Sequence, residues 1–450
     1  MLVSRGYRPA ALTVCAALLA TVAGCGGDTS TNDAETLVDS VRLYGTDGNM
    51  SNSFAAEFPE QTNLLSGMKG TSPLTPLSDD FVARLRTVDP QLNDVLYAGE
   101  AYDAVVISAL AAQLAGSTEP ARIAAQINGV TTGGEQCDTV ELCLELAQDG
   151  TDIEYRGVSL KRGGFTDAGE PSTASYATLH FDEDGQINNG KTEFVGAGDE
   201  STTTTVAPPP ATVQNEFDRN DGPLKLGGLL PITGDLALAY PPMAAGTELA
   251  VREVNEAGGV LGDPVEWLDG DDGTDPEVAR ATVAQHIDDG VHVIIGAGAS
   301  GVSRAVLPDV AAAGLILFSP CNTDAGLSTI DDSGLYFRTA PSDLLQGRAL
   351  ADVILRDGPQ RVAVVARKDS YGEGLQENVR AELTRAGISP DRLKLLTYEP
   401  PDGADAPPVD FTGGAEEIKS FGADAILIIG FGESAQVIKA LSAAGLPVAQ

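Results

Sequence analysis

The chain has 450 residues, 42% of them hydrophobic, with 51 glycines. That length can bury a large core and suits an α/β protein of two or three domains with many tight turns. A formal net charge of −37 repels phosphate backbones and argues against a nucleic-acid partner.

At the start, Arg5 and Arg8 precede an apolar run over 10–22 that is too short to span a bilayer and ends in small residues. This is the pattern of an export signal, placed at 1–24. The segment Val22-Ala-Gly-Cys25 resembles the lipobox of bacterial lipoproteins, and that resemblance implies a diacylglyceryl group on the Cys25 thiol. The alternative is an ordinary signal peptide with an incidental Cys25. No other stretch approaches ~18 uninterrupted apolar residues, so the mature chain is expected to be anchored to a membrane by lipid, with 25–40 as a tether. Of the five cysteines, Cys15 falls in the signal. Cys137 and Cys143 are candidates for a small disulfide loop in an oxidising compartment, and their spacing does not suit a zinc knuckle. Cys321 is left unpaired.

Further on, 41–44 reads as a strand, 102–115 as a long apolar helix, and the region of 176–181 as antiparallel strands. A polar segment over 195–221, containing Ser201-Thr-Thr-Thr-Thr-Val-Ala-Pro-Pro-Pro210, is expected to be a linker that packs no core. Beyond it, β-branched-rich apolar runs at 224–230, 291–295, 315–318, 361–366 and 425–429 alternate with helical patterns. One pattern puts Ala250, Val254 and Ala257 on one face; others run over 374–386 and 434–444. Strands alternating with helices argue for parallel sheets covered on both faces.

Motifs in this second half resemble the leucine/isoleucine/valine-binding family of type I periplasmic binding proteins. They are Leu230-Pro-Ile-Thr-Gly-Asp235, Asn255-Glu-Ala-Gly-Gly-Val-Leu-Gly262, Tyr336-Phe-Arg-Thr-Ala-Pro-Ser342 and Asp369-Ser-Tyr-Gly-Glu-Gly374. Together they cover 222–450, about the first two-thirds of such a receptor. Leu43-Tyr-Gly-Thr-Asp-Gly48, Ala101-Tyr-Asp-Ala104, Gly133-Gly-Glu-Gln-Cys137 with Cys143, and Asp152-Ile-Glu-Tyr-Arg-Gly157 resemble the family's C-terminal portion, which here stands first. The order reads as a circular permutation, with the strand at 41–44 following 450 in the family's sequence of elements. The resemblance implies two Rossmann-like parallel-sheet lobes joined by three hinge strands. One lobe comprises 222–338 with 71–172, the other 339–450 with 41–70 and 173–194.

The residues that carry chemistry gather at strand ends. Ile295-Gly-Ala-Gly-Ala-Ser-Gly301 follows a strand and opens a helix, whose N-terminus attracts anions. Its formal dinucleotide pattern lacks an acidic residue about 20 positions on. By resemblance, Ser300 binds a ligand α-carboxylate; otherwise it is a helix cap. In Ser319-Pro-Cys-Asn-Thr-Asp324, resemblance assigns Thr323 to the carboxylate and ammonium and the Cys321 carbonyl to the ammonium. Thr323 as a turn hydroxyl is the alternative. The same resemblance implies Tyr371 over the ligand and Asp47 as the acidic partner of the ammonium, where Asp47-Gly48 also reads as a turn. Phe431 and Tyr240 are candidates for the side-chain pocket. Asp269-Gly-Asp-Asp-Gly-Thr-Asp275 lacks the Glu a calcium loop needs, and Asp275-Pro276 reads as a helix cap.

The resulting expectation is an extracytoplasmic, lipid-anchored receptor that binds a small zwitterion, an amino acid or amide-like solute, and delivers it to the permease of an ABC transporter. No enzyme activity, cofactor or metal is expected. A sensor role with a signalling partner stands beside it, as does a hydrolase using Cys321, for which no nearby His is evident.

Overall fold

The computed structural model describes residues 41–212, 222–401, 403 and 406–448. The expected export signal (1–24), Cys25, the tether (25–40) and the end of the expected linker (213–221) lie outside the described residues.

The chain begins with strands β1 (Arg42–Gly45) and β2 (Lys69–Pro73), then helices α1 (Asp79–Val88), α2 (Ala98–Ala115) and α3 (Pro120–Val130). Strand β3 (Glu135–Cys137), helix α4 (Val140–Gln148) and strand β4 (Ile153–Tyr155) follow. Strands β5 (Thr173–His180) and β6 (Glu193–Gly198) close the first half. The second half runs β7 (Lys225–Leu229), α5 (Tyr240–Glu256), β8 (Glu266–Leu268), α6 (Pro276–Asp288) and β9 (Val293–Gly296). It continues through α7 (Ser300–Ala312), β10 (Ile316–Ser319) and β11 (Tyr336–Arg338). Last come α8 (Asp343–Arg356), β12 (Val362–Arg367), α9 (Ser370–Arg385), β13 (Leu393–Tyr398), α10 (Thr412–Phe421), β14 (Ala425–Ile429) and α11 (Ala435–Ala443).

These strands form two large sheets, one in the order β13-β12-β14-β1-β2-β5-β6 and one in the order β11-β10-β9-β7-β8. The second is wholly parallel. The first is parallel through β2 and antiparallel at β5 and β6. Every residue of β12 and β14 is buried, as suits apolar, β-branched strands with helices on both faces. Helix α2 is buried at nearly every position and packs on α3, α4, α5, β9 and β10. A mostly apolar helix buried on every side has no solvent face to offer, and its Glu100 and Asp103 are buried with it. Side-chain caps fix several helix starts: Ser78 for α1, Thr139 for α4, Asp275 for α6, Ser342 for α8 and Asp369 for α9.

Strand β1 sits between β14 and β2. Arg42, Leu43 and Tyr44 lie beside Ala425, Ile426 and Leu427, and Tyr44 and Gly45 beside Lys69 and Gly70. The Val41 N–H donates to the Pro447 carbonyl at 3.1 Å. The first and last described strands are therefore neighbours in mid-sheet, the pairing expected from the sequence.

The polar segment after β5 corrects one expectation. Its start is β6, an edge strand antiparallel to β5. Beyond β6, the N–H of Thr204 donates to Phe165 O at 2.8 Å, Gln126 Nε2 to Pro209 O at 2.9 Å, and the N–H of Thr212 to Leu114 O at 2.8 Å. Prolines hold an extended backbone and leave no N–H unsatisfied, so the stretch through Thr212 lies as a strap tied by a few hydrogen bonds. Cys137 and Cys143 form a disulfide with Cα atoms 5.4 Å apart, and Cys321 is a free, buried cysteine. Among the described residues no helix is long and apolar enough to cross a membrane.

Leu43 is 2% exposed in β1. Leu43→Ala is expected to lower the unfolding free energy by about 2–5 kcal/mol, read as a shift in the urea midpoint; an unmoved midpoint would place β1 outside the core.

Candidate functional site

Parallel strands deliver their following loops to one edge, and a crevice forms where two such edges face each other. Here the loops after β9 and β10 of one sheet meet the loops after β1 and β14 of the other. They bound a small, tight chamber lined by Asp47, Gly48, Tyr97, Leu236, Gly298, Ala299, Ser300, Cys321, Thr323, Tyr371 and Phe431.

On the β9 side, Ser300 is the first residue of α7, and its cap residue Ala299 offers no side-chain hydrogen bond. Ser300 is thus not the cap. Its hydroxyl accepts the N–H of Asp324 at 3.3 Å and keeps its proton to donate. The loop before it is held from several directions. Asp272 Oδ2 accepts the Gly298 N–H at 2.7 Å, and Asn322 Nδ2 donates to the carbonyls of Ala297 and Gly298 at 3.0 and 2.8 Å. Gly296 has a φ of 147°, and a Cβ there would lie 2.0 Å from the Leu229 carbonyl oxygen, so only glycine fits. A rigid loop ending in an uncapped helix N-terminus suits an anion. Burial raises the Asp272 carboxyl to about 7, against the pull of the Thr274 and Gly298 N–H groups.

Across the chamber, Asp47 is 5% exposed. Its oxygens accept from Tyr97 Oη at 2.8 Å, Gln346 Nε2 at 2.6 Å and Tyr371 Oη at 3.0 Å. Among the described residues it belongs to no ion pair. Burial raises its pKa, and the three neutral donors pull it down. A Cβ on the next residue, Gly48, would sit 2.4 Å from the Gly430 carbonyl oxygen; this close approach brings Asp47 beside the end of β14.

Tyr371 stacks on Phe431 with centroids 5.3 Å apart, and its hydroxyl shares a 2.8 Å hydrogen bond with the Thr46 hydroxyl. Phe431 also carries the Arg367 guanidinium 3.9 Å from its ring centroid, a cation–π contact. Arg367 is in turn held by Glu433 at 2.8 Å and Asp369 at 2.5 Å. Asp235, in the loop after β7, reaches this cluster from the other sheet, 3.9 Å from Arg367. Its carboxyl is raised to about 6 by burial and by Glu433.

Six of the residues singled out from sequence therefore line one chamber: Asp47, Ser300, Cys321, Thr323, Tyr371 and Phe431. Tyr240 does not. It begins α5 and lines a surface groove with Trp267 and Asp269, while Leu236, one turn earlier, faces the chamber. Sequence reading missed Tyr97, Leu236 and Gln346. Tyr97 has a left-handed backbone (φ 61°), a conformation costing ~1–3 kcal/mol for a bulky residue, and no motif marks it. Burial, then the Asp47, Asp272 and Glu100 carboxylates, pushes the Cys321 thiol well up, which disfavours the thiolate a hydrolase needs. Among the described residues no histidine lines the chamber. The Asp269–Asp275 stretch caps α6 through Asp275, and no metal-holding cluster of His, Cys, Asp or Glu occurs among the described residues.

Residues 223–450 match the family described as Periplasmic binding protein. The chain belongs to that family. A relative named Leu/Ile/Val-binding protein homolog 3, from Brucella melitensis, is 28% identical over 46% of this chain and 54% of its own length. A Leu/Ile/Val/Thr-binding protein from Salmonella typhimurium is 30% identical over 50% of this chain and 59% of its own. Among solved structures, a branched-chain amino acid transporter substrate binding protein from Streptococcus pneumoniae, in complex with isoleucine, aligns over 50% of this chain and 62% of its own at 22% identity, with a TM-score of 0.43. The chain spans about half the length of the curated relatives it matches.

Two buried carboxyls near this site make a signed prediction. Asp272 is raised from 3.8 to about 7 and Glu100 from 4.5 to about 8, both by burial. The unfolded chain binds fewer protons than the folded one between those values, so this part of the stability is present at low pH and lost as pH rises through 7–8. The melting temperature of Asp272→Asn and of Glu100→Gln, by scanning calorimetry, is expected to fall less than wild type between pH 5.5 and 8.5. Parallel curves would contradict it.

Proposed function

We propose that this chain is an extracytoplasmic receptor that binds a small zwitterion, an α-amino acid, in the chamber between its two sheets and delivers it to the permease of an ABC transporter. The observation that carries the reading is the placing of Asp47 opposite Ser300 and Thr323. A buried carboxyl without an ion-pair partner faces a helix N-terminus that suits a carboxylate, and a molecule bearing both charges would complement the two. Ser300 and Thr323 hold the carboxylate, Asp47 and the Cys321 carbonyl hold the ammonium, and Tyr371, Phe431 and Leu236 surround the side chain. The names of the relatives favour an apolar, branched side chain.

The two lobes are read as 222–338 with 71–172 and 339–450 with 41–70 and 173–194. A ligand that touches both favours the closed arrangement by its differential contacts, and no covalent chemistry is needed. The pairing of β1 with β14 supports a circularly permuted order of the family's elements, with the strap near 195–212 on the path that joins the older ends. A lipid on Cys25 would keep the receptor at the membrane surface. Cys321→Ala is then expected to leave binding intact.

A thermal-shift panel of the common amino acids and small amides tests the ligand class, because a ligand that binds only the folded form raises its melting point. An α-amino acid is expected to stabilise the protein, and Asp47→Ala to lose the shift and at least about 10-fold in affinity by calorimetry, as losing a charge-assisted hydrogen bond does. An Asp47→Ala protein that binds as tightly as wild type would refute the ammonium assignment. For the anchor, Cys25→Ala is expected to move the protein from the membrane fraction to the soluble fraction of cells expressing it.

A further inference from the structure

The strap after β6 carries more hydroxyls than its seating uses. Ser201 is followed by Thr202, Thr203, Thr204 and Thr205, and then by Val206, Ala207 and three prolines. A run of Ser and Thr beside Pro is the composition of segments that carry O-linked sugars. Composition names no acceptor, but the structure sorts the hydroxyls.

Thr203 and Thr204 hold the strap down. The Thr203 hydroxyl accepts the Gly164 N–H at 3.2 Å and shares a 2.9 Å hydrogen bond with the Ser172 hydroxyl. Thr204 is buried; its hydroxyl donates to Asp167 and accepts the Val206 N–H at 3.2 Å. Ser201 bonds the Asp199 side chain, and Thr202 Oγ1 donates to the Asp199 carbonyl at 2.7 Å. At the far end, the Thr212 hydroxyl accepts from Arg122 at 3.4 Å. Thr205 is different. It is exposed and finds no hydrogen-bond partner among the described residues, through main chain or side chain. Among the described residues of the strap, its hydroxyl alone has no structural task.

The backbone around Thr205 is open to another protein. Residues 204–212 form no helix or strand, Ala207 is held extended by the proline after it, and Val206 is 68% exposed. The neighbouring anchors are Thr204 on Phe165 and Pro209 on Gln126, and Pro208 seats on Gly129, where a Cβ would lie 2.4 Å from the proline ring. Thr205 lies between these anchors, so it can enter an enzyme's cleft without a sheet or helix being broken. The local charge selects the group it takes. Asp199 and Glu200 precede the threonines, and Asp167 bonds Thr204. A phosphate would be repelled by these carboxylates, whereas a neutral sugar adds no charge.

We propose that Thr205 is an O-glycosylation site, taking a neutral hexose from a lipid-phosphate-linked donor through a membrane-bound transferase outside the cytoplasm. The Thr205 hydroxyl oxygen bonds to the anomeric carbon of the sugar. The bond from that carbon to the donor phosphate breaks, its electron pair leaves on the phosphate, and the hydroxyl proton passes to a base of the transferase. The sugar shields the strap. Exposed, irregular backbone is what proteases prefer to cut, and this stretch is part of the covalent path from β6 to β7, between the two sheets. The proposal rests on the extracytoplasmic reading and adds a modification to it.

The test takes the full chain from cells of the organism that encodes it. Peptide mass spectrometry with electron-transfer fragmentation, which leaves a sugar on its residue, is expected to find hexose on Thr205 and none on Thr203 or Thr204. Thr205→Val is expected to lose the hexose and Thr205→Ser to keep it. A chain lacking 1–24, held in the cytosol, is expected to carry none. Enzymatic removal of the sugar is expected to speed cleavage of the strap several-fold in limited proteolysis; an unchanged rate overturns the shielding role. Wild-type chain found outside the cytoplasm with Thr205 bare, or with phosphate there, overturns the proposal and leaves the extracytoplasmic reading intact. Wild-type chain that stays in the cytosol overturns both.

Discussion

The parallel pairing of β1 with β14 is the constraint on which the rest depends. It inserts a strand from near the beginning of the chain between strands from its end and from its first third, and it closes the core of the seven-stranded sheet. Strand register then sets where the site's loops emerge. Three positions after Tyr44 comes Asp47, and because Tyr44 is level with Leu427 the loop after β1 emerges beside the loop after β14. A slip of one residue would move Leu43 and Tyr44 each to the core on the opposite face of the sheet, and Asp47 would no longer meet Tyr97, Gln346 and Tyr371 together. Fold and site are therefore coupled through a few backbone hydrogen bonds.

Around the chamber the polarity is divided. One wall presents a helix N-terminus with the hydroxyls of Ser300 and Thr323; the other presents carboxyl oxygens. Cations are close by but occupied: Arg367 by Glu433 and Asp369, and Arg338 by Glu170. In a low-dielectric interior such committed charges stiffen the frame and contribute little to a newcomer. That leaves Asp47 with neutral donors only; burial raises its pKa and those donors offset part of the rise.

Much of the fold was legible because its strands are apolar runs of a length no helix shares. The run at 425–429 coincides with β14, and those at 361–366 and 315–318 are each displaced by one residue from β12 and β10. Chamber residues carried on motifs at strand ends were legible for the same reason, since a strand end is fixed by the strand. Tyr240 was misplaced because an aromatic at a helix start looks the same whichever way it faces; Leu236, before the short 3-10 turn at Ala237–Ala239, lines the chamber instead. Tyr97 was invisible because its role depends on a left-handed backbone that sequence does not announce. The strap after β6 was misread because composition reports the absence of a core, while a few main-chain hydrogen bonds are enough to seat a polyproline stretch.

The position of β1 also sets the order of events when the chain is made. Arg42 leaves the ribosome long before Ala425, about 380 positions later, and at 5–20 residues per second that interval is roughly 20–80 s. For all that time the strand destined for the middle of the sheet has β2 on one side and nothing on the other. The sheet is completed only after Ala425–Ile429 has been made, and its core forms through contacts between distant parts of the sequence, the slowest kind to make. A polypeptide whose central strand waits for a partner made much later keeps one edge of that strand unpaired throughout the interval.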